Sequence, residues 1–374
     1  MNTDVKPSWM TSRMPCLGGW WAGLTTPGMA REAPYLAVLP WLITAGLVLL
    51  AASGLVLAVY YNPAHAFASG QFIAREVNNG WLIQGFHATG TTLVFAAAYL
   101  LLLRGLLARS YHAPGELVWL LDVMMFALLL LAGWLGFALT GGAASYWSVM
   151  NAANAAMLLP GALGALGTWF FGGPDGPGTL ARLVVLHVAL ALGIFFILWL
   201  RHSAKKAATP LPAPPLRVAF HPYYTAQYFV ALVVCALIFS ILVFFYPQFG
   251  QSALNNVPGG PLAVATGFGL PWYLAPLAGL GDVFHGIYGG MLGIAAALVL
   301  LLALPWLDRS GPAGRAGGLY RFLTLLLALD VLGLGWAASG AAGGMSSLLI
   351  MLFGAWFFLH FLVLTPLVTA MEAE

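Results

Sequence analysis

Two histidines stand where membrane-spanning helices would carry them into a bilayer. His87 lies near the start of the apolar stretch Gly80 to Arg109, GWLIQGFHATGTTLVFAAAYLLLLRGLLAR, and His187 lies at a matching depth in Thr179 to His202, TLARLVVLHVALALGIFFILWLRH. Two imidazoles on facing antiparallel helices can take both axial positions of a haem iron inside a helix bundle. Ionisable side chains within a membrane are costly and by default mark function. On residue type alone, iron ligation and a pair of relic side chains in an empty bundle stand level. The cysteines add no chemistry: Cys16 and Cys235 are far apart and form neither a disulfide framework nor a CxxCH attachment motif.

The elements that must position these histidines follow from composition. Hydrophobic residues are 61% of the 374 and charged residues 7%, more apolar surface than a soluble domain of this length can bury. The fold class is therefore an all-α polytopic membrane protein. Apolar runs predict eight transmembrane helices at 35–60, 81–106, 118–139, 180–202, 224–246, 283–306, 320–340 and 346–370. Residues 143–160, less hydrophobic and Asn-containing, are expected along the interface. An amphiphilic arm occupies 1–34, with no signal-peptide pattern. A four-helix N-terminal half, 35–202, is joined to a C-terminal half, 219–374, by a linker at 203–218 carrying two lysines and four prolines. A second long loop, non-cytoplasmic, is expected from Pro247 to Gly281. With the N-terminus cytoplasmic, twelve Lys and Arg fall on the cytoplasmic side against Arg75 and Arg182 on the other. That asymmetry predicts an inner-membrane protein with both termini cytoplasmic. No basic run suggests nucleic acid, and no broken helix or inverted repeat suggests a transporter.

Six stretches, in order, resemble cytochrome b of the respiratory and photosynthetic bc complexes: GWLIQGFHATGTT, RGLLARSYHAPGELVW, GFALTGGAASYW, FHPYYTAQYF, LPWY and ALPWLDRS. The resemblance runs from about residue 35 to the C-terminus. It implies an N-terminal four-helix haem bundle followed by four C-terminal helices. In that family two stacked haems each take one histidine from the second helix and one from the fourth. Each also needs a glycine on the first and third helices, where the porphyrin edge leaves no room for a side chain. The two positions on each helix are 14 residues apart, close to four turns and roughly 21 Å.

The resemblance implies one complete haem site, with His87 and His187 as iron ligands and Gly54 and Gly136 beside the macrocycle. Fourteen residues further toward the cytoplasm, the family pattern fails at all four positions, which hold Pro40, Leu101, Asp122 and Arg201. Independent drift would strike both sites, so one lost cofactor is the economical account. Asp122 and Arg201 are expected to approach each other in the vacated volume, because a charge inside a bundle persists only with a partner; the alternative is that both snorkel to the interface. His202 is one residue, about 100°, off the ligand position and reads as a helix-end histidine. His65, His112, His221 and His285 fall in loops or near helix ends and read as solvated or hydrogen-bonded there, and His360 reads as a satisfied core or interface histidine, with a quinone contact as the lesser alternative.

The family's quinone motifs are altered. After FHPYYT, its proton-supplying Lys-Asp pair is replaced by Gln227 and Tyr228. Its Pro-Glu-Trp-Tyr reads Leu270-Pro271-Trp272-Tyr273, which leaves Trp272 and Tyr273 as possible quinone or partner contacts. Its Pro-Trp-Gly-Gln is replaced by Thr140-Gly141-Gly142-Ala143. The resulting expectation is a membrane subunit with one haem b and a quinone, surrounded by lipid, within a hetero-oligomeric complex. It would exchange electrons between the quinone pool and a periplasmic-side redox subunit, whether iron-sulfur protein, c-type cytochrome or dehydrogenase, without a complete Q cycle. The rivals are a working two-haem cytochrome b and a haem-free structural anchor.

Overall fold

A computed structural model describes residues 15–26, 29–30, 36–172, 178–208, 217–263, 269–286, 288–311 and 316–373. Most of the N-terminal arm and the proline-rich part of the linker lie outside these residues. Among the described residues, eight helices are long and apolar enough to cross a membrane: Leu39–Tyr60, Gly80–Leu107, Glu116–Ala138, Thr179–Ala208, Phe220–Phe245, Gly289–Leu307, Gly318–Ala338 and Gly343–Met371. They are referred to below as the first to eighth spans. The first span packs along the second and the third along the fourth, so the two predicted histidine helices come from different pairs. One contiguous apolar core runs from Leu39 and Ile43 through Phe95, Leu101 and Met125 to Leu334 and Phe361.

Several boundaries differ from expectation, each for a local reason. The fourth span continues past 202 to Ala208, because Ala204, Lys205, Lys206, Ala207 and Ala208 are all strong helix formers. The sixth span begins at Gly289, not 283; Gly286, at φ +102°, breaks the chain ahead of it. The connection before the second span holds a helix, Ala66–Glu76, which buries Ala66, Ser69 and Ile73 on one face. Its approach is set by Asn62, whose side chain accepts from the Ala64 amide at 3.0 Å. The segment 143–160 forms the helix Ala143–Met157, followed by a second short helix, Ala162–Phe171.

The expected loop from Pro247 to Gly281 ends in a buried helix, Ala275–Asp282. The seventh span packs on it where Gly279 meets Leu334; a Cβ at Gly279 would lie 2.8 Å from Leu334 Cδ1. The eighth span carries a π turn at His360–Leu364, one turn ahead of Pro366, whose missing N–H and ring forbid a regular helical bond there.

At the end of the bundle that holds Arg109, two connections and the residue after the eighth span are tied together. Arg109, buried and at φ +47°, donates to Glu372 at 2.6 Å and lies 3.4 Å from Asp308. The Tyr111 hydroxyl donates to Asp308 at 2.7 Å and lies 2.8 Å from the Tyr320 hydroxyl. Burial alone would lift the Asp308 carboxyl; hydrogen bonds from Ser310, Tyr111 and His112 outweigh it and hold the group below the usual carboxylate range. Burial, with Tyr320 and Asp308 beside it, pushes the Tyr111 phenol well above its ordinary value.

Candidate functional site

His87 and His187 face each other across the N-terminal bundle, with ring centroids 6.3 Å apart and planes at 61°. That separation is on the order of two metal–imidazole bonds of about 2 Å plus the two half-rings. The Nδ1 atoms are held on both sides. The Ser53 hydroxyl gives its proton to the Leu49 carbonyl at 2.8 Å and lies 3.1 Å from His87 Nδ1, so it is left to accept from that nitrogen. His187 Nδ1 lies 3.0 Å from the Ala132 carbonyl, which can only accept. Both rings therefore carry the proton on Nδ1 and present the Nε2 lone pair, the arrangement a metal ligand requires.

Gly54 and Gly136 stand against these rings. A Cβ on Gly54 would lie 3.0 Å from His87 Cε1, and one on Gly136 would lie 3.2 Å from His187 Cε1. Each helix of the first and third spans thus gives a flat surface beside one imidazole. The donor set, two neutral imidazoles with glycines flanking them, fits a planar macrocycle bound through its iron.

The corresponding positions toward the other end are of a different kind. Arg201, from the fourth span, makes a two-pronged contact with Asp122, from the third: Nε donates to Oδ1, and Nη2 donates to Oδ2 at 3.2 Å. Both side chains are only 10% exposed. Leu101 is 3% exposed and packs in one core with Ile43, Leu47, Met125, Ile194 and Ile197. Pro40 occupies the first turn of the first span and is half-buried. Arg104, on the second span, and Lys205, one turn beyond Arg201, add like charge around the pair, with Asp122 attracting both.

Two family models match the chain: cytochrome b/b6/petB over residues 35–205 and the C-terminal cytochrome b/b6/petD over 265–359. Cytochrome b of Rickettsia bellii is 30% identical over 385 residues, covering 99% of this chain and 95% of that protein. Cytochrome b of Rhodospirillum rubrum is 30% identical over 372 residues, covering 96% and 92%. The chain belongs to the cytochrome b family. The fold agrees: a chain from a hyperthermophilic respiratory Complex III superposes with a TM-score of 0.86 at 25% identity, covering 98% of this chain and 99% of that one.

Membership makes this a haem b protein of electron transport. Tyr273 is buried, its ring stacked on Phe95 at 4.1 Å, and its carbonyl accepts from the Tyr99 hydroxyl at 2.9 Å. Burial pushes its phenol above the ordinary range. Trp272 Nε1 is buried without a hydrogen-bond partner among the described residues. Pro271 stands where this cytochrome b would carry its glutamate. At the other motif, Gln227 is exposed and Tyr228 packs on Trp41 at 5.7 Å, with Trp41 also against Phe220 at 6.1 Å. Tyr228 sits among the rings of Trp41, Phe220 and Tyr224.

The remaining histidines sort as follows. His202, His65 and His285 are exposed. His112 is hydrogen-bonded, Nδ1 lying 2.7 Å from the Gly311 carbonyl and Nε2 3.0 Å from Asp308. His221 packs beside Trp21 at 5.5 Å. His360 departs from expectation: it is 2% exposed, but its Nδ1 has no partner among the described residues. Ser53, 3.1 Å from His87 Nδ1, is the neighbour of the pair that sequence reading missed; a serine one residue before Gly54 on a helix that otherwise reads as apolar was the available signal.

Proposed function

We propose that this cytochrome b holds a single haem b, which His87 and His187 would ligate through Nε2, with Gly54 and Gly136 leaving room beside it. Bound in that way, the haem supplies one-electron transfer through an iron with no open coordination position. Ser53 and the Ala132 carbonyl orient the ligand rings and fix their tautomers. At the second family position, Asp122 and Arg201 neutralise each other, and Leu101 with its aliphatic neighbours fills the interior.

The observation that carries the reading is the Asp122–Arg201 contact, which consumes the two positions a second macrocycle would need on the third and fourth spans. With one redox centre near the His87 end, electrons would enter and leave at that end, and the Lys and Arg asymmetry of the sequence supports reading it as the periplasmic one. The exchange is between the quinone pool and a periplasmic-side redox subunit. Pro271 and Tyr228 support the absence of a complete Q cycle, since both family proton-handling carboxylates are gone. Likeness to a Complex III chain supports assembly in a hetero-oligomeric complex. A reduced-minus-oxidised redox titration of the purified protein tests this: one single-electron b-type component is expected, and two resolved components would overturn it.

A further inference from the structure

The C-terminal spans contain buried polar groups that the electron-transfer reading does not use. Asp330 lies on the core-facing stripe of the seventh span, with Tyr320, Thr324, Leu327 and Leu334. It is 6% exposed, and its Oδ2 has no hydrogen-bond partner among the described residues. On the eighth span, Trp356 Nε1 and His360 Nδ1 are buried and equally without partners.

Register brings the three together. A Cβ on Gly333 would meet Phe353 Cζ at 2.7 Å, so these residues oppose each other across an antiparallel helix pair. Three residues away on each helix, Asp330 comes level with Trp356. His360 follows one turn later on the same face as Trp356, about 6 Å along the axis.

From His360 a polar line continues toward the Arg109 end. The Thr365 hydroxyl donates to the His360 carbonyl at 2.9 Å, and the Thr369 hydroxyl to the Thr365 carbonyl at 2.7 Å. On the seventh span the Thr324 hydroxyl donates to the Tyr320 carbonyl at 2.9 Å. Through Thr369, which accepts from the Arg309 amide at 2.9 Å, the eighth span reaches the cluster of Tyr320, Tyr111, Asp308 and His112. There His112 is 11% and Glu372 18% exposed, giving the cluster contact with the aqueous phase.

A carboxylate without a countercharge is not retained inside a membrane; a neutral acid satisfied by water is. Buried polar groups lacking protein partners are the usual seats of ordered water, which needs two to four of them. From the juxtaposition of Asp330, Trp356 and His360 we infer a second functional site in this chain: a hydrated proton-exchange site at Asp330, fed from the Arg109 end. Water bound to Trp356 Nε1 and His360 Nδ1 takes the proton of the un-ionised Asp330 carboxyl as it returns another, so the acid stays neutral, and the water trades its protons with the aqueous phase at the Arg109 end. No electron moves in this exchange.

Infrared spectroscopy of the intact holoprotein in lipid nanodiscs tests it. A C=O stretch of an un-ionised carboxylic acid is expected, absent in Asp330→Asn, and shifting on transfer to D2O faster than the core amides exchange. His360→Phe should keep the band and slow its shift by an order of magnitude. If Asp330→Asn fails to accumulate, Asp330→Glu carries the same test through a displaced band. An acid band unchanged by either Asp330 variant, one that never shifts in D2O, or one whose shift is indifferent to His360→Phe would overturn the proposal. The b-type absorbance, governed by the distant His87 pair, is the control for folding and fails separately.

Discussion

Replacing Asp122 by Asn should be more damaging than replacing Arg201 by Met. The pair is two-pronged and nearly buried, with each side chain 10% exposed. Breaking a buried pair by removing one partner typically costs about 3–5 kcal/mol, because the other charge is left uncompensated. The surroundings make the two halves unequal. Without Asp122, Arg201 is left beside Arg104 and Lys205, three like charges with no anion among them. Without Arg201, Asp122 still has Arg104 and Lys205 to attract it. Asp122→Asn should therefore show the full loss and Arg201→Met the smaller one, while Asp122→Leu with Arg201→Met should recover most of the stability by substituting apolar packing. Equilibrium unfolding in mixed SDS micelles, followed by tryptophan fluorescence, measures all three. Equal losses for the single variants, or a double variant worse than either, would refute the reasoning.

Three further outcomes follow. Gly54→Val should abolish b-type absorbance while the protein still accumulates in membranes, since even a Cβ there comes within 3.0 Å of the His87 ring; visible spectra of purified variant set against immunoblot amounts check it. Ser53→Ala, which removes the acceptor 3.1 Å from His87 Nδ1, should weaken haem retention by roughly 10- to 100-fold, as loss of an orienting partner does at metal sites; competition by apomyoglobin reads this. The Asp308 carboxyl titrates below its unfolded value, so its network stabilises fully above the ordinary carboxylate range, and that contribution disappears as pH falls through the folded value. Asp308→Asn should therefore flatten the acid limb of the stability–pH curve and lower stability near neutrality; an unchanged acid limb contradicts this.

What could be read from the sequence was whatever depended on helix length and period. Eight apolar runs reach across a bilayer on composition alone, and a 14-residue step keeps Asp122 and Arg201 on the faces that meet. The pairing of those two was legible because charge burial leaves few alternatives. What escaped depends on tertiary contact. The helix Ala275–Asp282 is short, eight residues with Pro276 in its first turn, so its period is invisible until the seventh and eighth spans cover it. The Arg109, Asp308 and Glu372 cluster joins residues about 200 and more positions apart. Asp330 passed unnoticed inside a run that reads as apolar, and His360 was expected to find a partner because buried polar groups usually do. Neither expectation can see which neighbours a helix turns toward them.

The most direct test of the account is the ratio of haem b to polypeptide in the purified protein, by pyridine haemochrome against amino-acid analysis. One haem per chain, lost entirely in His187→Ala, is the predicted result. Two per chain, or none in the unmutated protein, would contradict it.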